Sequence, residues 1–334
     1  MTAHSTSAPR PITFQQGCTQ ALDEAMAADD SVFLLGEDIG DREGGGTFKV
    51  TKGLADKYGT ARVRTTPISE QAIVGTAVGA AVAGMRPVAE IMLMNFITLG
   101  LDQLVNHAAK LRYMSGGQTG VPLTIRTATG AGGGFAGQHS DMLETWLAHV
   151  PGLKVVVPSS PADAKGLLLS CVLDDDPCVF VEHTQMYWTK GPAPEPGLRI
   201  PLGTAHIARP GRDVSVITYG RPVGQVLALA DQLAGEGIEV EVVDLRTVSP
   251  WDERTVLESV ARTRRAVVVH EAVRRFGTGA EVSARINEEL FGQLAAPVVR
   301  VASADTPVPF SRPLEQAYLY KVSDVESVVR KAVA

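Results

Sequence analysis

The stretch Gln71–Met94, QAIVGTAVGAAVAGMRPVAEIMLM, decides the fold. Gln71–Gly84 is built from small and aliphatic residues and reads as a helix. Its alanines and glycines would let it lie very close to another backbone. The apolar run Ala72–Met85 is too short to span a bilayer. Arg86–Met94 then reads as a buried strand, so this stretch is half of a βαβ unit.

The same pattern repeats on either side. Ser31–Leu35 (SVFLL), Val121–Arg126 (VPLTIR), Leu153–Val157 (LKVVV) and Cys178–Glu182 (CVFVE) are short apolar strands by length and β-branching. Between them, Asp102–Met114 has helical spacing and ends at Gly116-Gly117. Another helix opens at Pro161 and runs through Cys171. Continuous apolar strands suit a parallel sheet covered on both faces. Trp188–Gly203 is dense in proline and glycine, and beyond it the alternation restarts with Val214–Tyr219. The expected class is therefore α/β in two domains, 1–190 and 204–334, joined by a linker over 191–203. Residues 1–12 are expected to be flexible.

Composition narrows the function classes. The chain has 334 residues, 45% of them hydrophobic and 20% charged, as in a globular protein. A net charge of -6 offers no basic footprint for nucleic acid. Cys18, Cys171 and Cys178 are odd in number and widely spaced, which argues against a disulfide framework and for a reducing cytoplasm. Neither a signal-type segment nor a membrane partner is expected.

One loop demands a reading of its own: Ala131–Met142, AGGGFAGQHSDM. Gly132–Gly137 matches G-x-G-x-x-G, yet the acid that should hold a ribose some 20 residues on is missing, since the count lands on Val157. The glycines more simply let backbone approach a ligand or another chain. His139 lacks neighbours at metal-ligand spacing, which leaves proton transfer or plain hydrogen bonding. Glu70, in Thr65–Gln71 (TTPISEQ), reads either as a helix-start acid near Ser69 or as a functional carboxylate.

Read together, several segments resemble one family. Gly36–Ile39 (GEDI), Gly45–Leu54 (GGTFKVTKGL), Thr66–Glu70 (TPISE), Met85–Glu90 (MRPVAE), Asp102–Gly117 (DQLVNHAAKLRYMSGG) and Gln138–Ser140 (QHS) carry the likeness. His149–Pro158, Asp163–Leu167 (DAKGL), Asp244–Pro250 (DLRTVSP), His270–Ala272 (HEA) and Asp305–Ser311 (DTPVPFS) extend it. In order and spread, from about Thr13 to Tyr320, they resemble the beta subunit of the thiamine-diphosphate-dependent 2-oxo acid dehydrogenase E1 component. That group includes pyruvate, branched-chain 2-oxo acid and acetoin dehydrogenases.

The resemblance implies a transketolase-like pyrimidine-binding domain with a parallel sheet, then a transketolase C-terminal α/β domain. It also implies an E1 alpha subunit in an α2β2 assembly. The Mg²⁺- and diphosphate-binding GDG motif is missing here, so that half of the thiamine diphosphate site falls to the alpha chain. By the same likeness Glu70 bonds N1′ of the aminopyrimidine, Phe96 packs on that ring, and Ile68 and Met92 lie beside it. His139 donates a proton when a lipoyl sulfur of E2, or another acyl carrier, is acylated. Glu37 contacts the cofactor region, and with Asp102 forms a proton relay between two active sites. Leu123, Cys171, Val172, Asp174 and Asp176 match a loop that holds K⁺. Asp141 departs from the pattern, standing where many relatives have glutamine. Three other readings stay open: a specialised two-carbon transfer enzyme with another donor, a non-catalytic assembly subunit, and an NAD-dependent enzyme built on GGGFAG.

Overall fold

The computed structural model describes residues 10–334, so most of the segment expected to be flexible lies outside the described residues. At the end of that segment Ile12 joins Thr13 in a short strand, antiparallel to Lys190–Gly191. Thr13 then caps the helix Phe14–Ala28 reciprocally with Gln16. That helix crosses Pro161–Val172 at close range. A Cβ on Gly17 would stand 2.5 Å from the Pro161 carbonyl oxygen, so only glycine admits the contact.

The larger sheet has seven strands in the order Thr247–Ser249, Lys154–Val156, Cys178–His183, Thr124–Thr129, Arg86–Leu93, Val32–Glu37 and Val63–Thr66. Every pairing is parallel except that of the first strand, which arrives from the C-terminal half and runs antiparallel at the edge. The second sheet has five strands in the order Val299–Ser303, Ala266–Val273, Val214–Thr218, Val240–Asp244 and His206–Arg209, with the last antiparallel. Helices cover both sheets, as buried apolar strands demand. One core cluster is continuous across the two halves, from Ile73 and Leu147 through Tyr219 to Val243.

The expected strands are present with shifted ends. Thr124–Thr129 replaces the expected start at Val121, because Pro122 has no N–H for the ladder and Leu123 turns back onto Val121. Asp102–Met114 is not a plain α-helix, since Gln103–Ala108 is π-helical before Ala109–Met114 becomes regular. Gly191–Gly203 lies along the Pro161–Val172 helix, where Ile200 fills the space over Gly166. Among the described residues, no helix is long and apolar enough to cross a membrane.

Candidate active site

A parallel sheet gathers distant sequence positions at one edge, the carboxyl ends of its strands. Glu37 ends Val32–Glu37, and Glu70 follows Val63–Thr66. Met92 lies near the end of Arg86–Leu93, with Asn95 and Phe96 just beyond it. The loop bearing His139 leaves Thr124–Thr129. The order of the strands therefore brings most of the candidate residues to one side of the sheet.

Glu70 is the first residue of the helix Glu70–Val82, where the positive end of the helix favours a carboxylate. Only 8% of it is exposed, yet its carboxylate has no hydrogen-bond partner among the described residues. Ser69 supplies no side-chain cap. Half-buried Glu37 is near enough to feel Glu70: burial first, then Asp38 and Glu70, push its carboxyl above the ordinary range. Ile68, two residues before Glu70, is 73% exposed, and Leu99 is also bare.

His139 and Phe96 meet edge to face, with ring centroids 5.3 Å apart at 79°. Asn95 ties the two segments together. Its Nδ2 donates to the Gly137 carbonyl at 3.0 Å and to Asp141 Oδ2 at 2.8 Å, while the Asp141 N–H donates to Asn95 Oδ1 at 3.2 Å. The Asp141 carboxyl is pushed up by burial, an effect partly offset by Asn95. Its work in this fold is to hold the His139 loop against Asn95. Met92, like Phe48 and Phe96, packs against the core beneath the N-terminal helix, and its sulfur accepts from the Thr47 hydroxyl at 2.8 Å.

Two expected groupings fare differently. Asp102 is exposed, accepts from Asn106 at 2.7 Å, and is absent from the charges acting on Glu37. Leu123, Cys171, Val172, Asp174 and Asp176 do gather, but their oxygens already have partners. Arg86 takes the carbonyls of Val172 and Asp174 at 3.3 and 2.9 Å. Lys154 holds the Asp174 carboxylate at 2.6 Å, and Arg112 holds Asp176. Backbone N–H groups of Cys178 and Asp174 take the carbonyls of Leu123 and Cys171.

The glycine loop is not a nucleotide cradle. Its Ala131, Gly132 and Gly134 N–H groups donate to the carboxylates of Glu271 and Glu315, both buried and both from the C-terminal half. A pyrophosphate needs those donors free, and two negative charges beside them would repel it. The close approach the glycines permit is to the chain's own C-terminal domain. Sequence reading assigns no role to Asn95, Glu271 or Glu315. The local hints are that Asn95 precedes Phe96, Glu271 lies within HEA, and Glu315 follows DTPVPFS.

The fold is that of the transketolase class, and comparison with known proteins agrees. The transketolase pyrimidine-binding domain model matches residues 10–189, and the transketolase C-terminal domain model matches residues 203–325. The beta subunit of acetoin:2,6-dichlorophenolindophenol oxidoreductase from Cupriavidus necator is 46% identical over 97% of this chain and 98% of its own length. Pyruvate dehydrogenase E1 component subunit beta-2, mitochondrial, from Oryza sativa subsp. japonica is 43% identical over 98% of this chain and 87% of its own. The human mitochondrial E1 beta subunit is 42% identical over 96% and 90%. A solved split-gene transketolase, described as an inactive beta4 tetramer, shares the fold with a TM-score of 0.78 at 21% identity, over 97% of this chain and 99% of that one. The chain belongs to the E1 beta-subunit family of thiamine-diphosphate-dependent 2-oxo acid dehydrogenases.

Proposed function

We propose that this chain supplies the pyrimidine half of a thiamine diphosphate site and is active only with an alpha subunit in an α2β2 assembly. The observation that carries this is Glu70, a residue only 8% exposed whose carboxylate has no hydrogen-bond partner among the described residues, two positions after the exposed Ile68. The residues fit the group: one acid for a ring nitrogen, and Ile68, Met92 and Phe96 for the ring faces. Thiamine diphosphate, when bound, supplies the carbon acid that cleaves a bond next to a carbonyl. Mg²⁺ and the diphosphate go to the alpha chain, because no GDG occurs here.

Glu70 holds and exchanges a proton at the pyrimidine nitrogen. His139, steadied by Phe96, faces the reacting substituent and donates a proton to the lipoyl sulfur of E2 as the acyl unit leaves. Glu37 is a charged neighbour of Glu70 at the same sheet edge. The donor is a small 2-oxo acid or an acetoin-like compound. The three cysteines, all free and buried, suit a reducing cytoplasm.

The test is reconstitution. Co-expressed with a chain carrying GDG, the wild type should decarboxylate and acylate lipoyl groups, whereas the lone chain should do neither. Glu70→Gln should abolish both activities. His139→Ala should lower lipoyl acylation by ~10²–10⁴-fold while largely sparing decarboxylation to an artificial electron acceptor. A fully active lone chain would refute the proposal.

A further inference from the structure

We infer that Glu271 and Glu315 are positioning residues for His139, with their carboxylates filling the backbone cradle of the glycine loop and fixing its path. The loop has the form of an anion nest. Gly130, Gly132 and Gly134 take φ values of +103°, +104° and +74°, while the residues between them do not, so several N–H groups turn inward together. What occupies the nest is protein. Glu315 accepts from Gly132 N–H at 2.8 Å and from Gly134 N–H at 3.1 Å through Oε1 and 3.2 Å through Oε2. Glu271 accepts from Ala131 N–H at 2.8 Å.

Both carboxylates are about 1% exposed, where an unpaired charge is costly. Glu271 is further braced by His183 Nε2 at 2.9 Å and by Arg221 at 3.6 Å, and Arg221 also donates to the Ala131 carbonyl. Burial alone would push its carboxyl up, but His183, Arg221 and the Ala131 N–H outweigh that and hold it below the ordinary range. The anchor is therefore a carboxylate at working pH. Farther along, Gly137 lies against Pro307 and Val308 of the C-terminal half, and its carbonyl is held by Asn95. The His139 N–H then closes a turn onto the Ala136 carbonyl at 3.2 Å. The loop is held by the C-terminal half on one side of His139 and by Asn95 on the other.

The effect on acyl transfer rests on the role given to His139 above, whereas the clamp does not. The experiment therefore reads both in the αβ complex. In Glu315→Ala, hydrogen exchange over residues 130–141 should quicken by ~10–100-fold, the range expected for losing charge-assisted bonds. Lipoyl acylation should fall more than decarboxylation to an artificial acceptor. Added formate, a small carboxylate able to enter the vacated nest, should restore both. Should that variant not fold, Glu315→Gln carries the test: its amide keeps one acceptor oxygen, so exchange should rise by a smaller factor. Unchanged exchange in the folded variant overturns the inference. Faster exchange with an unchanged ratio of the two activities also overturns it, provided His139→Ala shifts that ratio. If His139→Ala leaves the ratio unshifted, the role of His139 has failed instead, and quickened exchange reversed by formate still supports the clamp.

Discussion

Replacing Glu144 by glutamine should uncouple this protein's stability from pH in a calculable way. Glu144 is fully buried between the two halves and accepts from the Tyr219 hydroxyl at 2.6 Å, while its other oxygen has no partner. Burial pushes its carboxyl up to about 7, with the Tyr219 hydrogen bond opposing and Glu271 adding to the rise. The folded pKa lies above the unfolded value of about 4.3, so folding favours the protonated form. That contribution is complete below pH ~4, fades as pH rises, and is gone above about 7. At about 1.36 kcal/mol per pH unit it amounts to about 4 kcal/mol.

Glutamine keeps the acceptor for Tyr219 and has nothing to titrate. Its NH₂ group carries a penalty at the unpartnered position, but a constant one. Urea unfolding of the two proteins side by side at pH 5 and pH 8.5 should show wild type losing ~2–3 kcal/mol relative to Glu144→Gln across that interval. Titrations elsewhere, such as His270, are shared and cancel in the difference. Two stability curves that run parallel with pH would refute the reasoning.

Other substitutions probe the frame of the site. Arg126 bridges Glu90 and Glu182, each at 2.7 Å, inside the larger sheet. Arg126→Met should strand two buried carboxylates and cost ~3–5 kcal/mol, read as a large fall in thermal midpoint or loss of soluble protein. Gly130→Ala would put a Cβ 2.2 Å from His183 Nε2 at a φ of +103°, so a loss of ~2–4 kcal/mol is expected by calorimetry. Burial lowers the His270 pKa to about 4. Its share of stability is therefore present above pH ~6.5 and lost as pH falls from there towards about 4, and His270→Leu should flatten that acid limb. If the acid limb persists unchanged in this variant, His270 is not its source.

Much of this architecture can be read from local pattern alone. Apolar runs such as Cys178–His183 announce central strands, because a strand covered on both faces must be apolar almost throughout. Glu70 and His139 are visible as chemistry-bearing residues at element boundaries. The N-terminal helix Phe14–Ala28 carries a Thr13-to-Gln16 capping signal that is easily passed over amid its glutamines. The edge strand Thr247–Ser249 is too short to declare itself, and only pairing with Lys154–Val156 makes it one.

Periodicity and composition, being local, set the alternation of strands and helices and supply the acid and the histidine. They are silent on which distant carboxylate satisfies which buried N–H, because that depends on how the chain closes over more than a hundred residues. Only the folded molecule brings Glu315 to Gly132 and Gly134, turns an apparent phosphate loop into a latch, and seats His139 against Phe96. Buried polar groups must find partners wherever the packing happens to bring them.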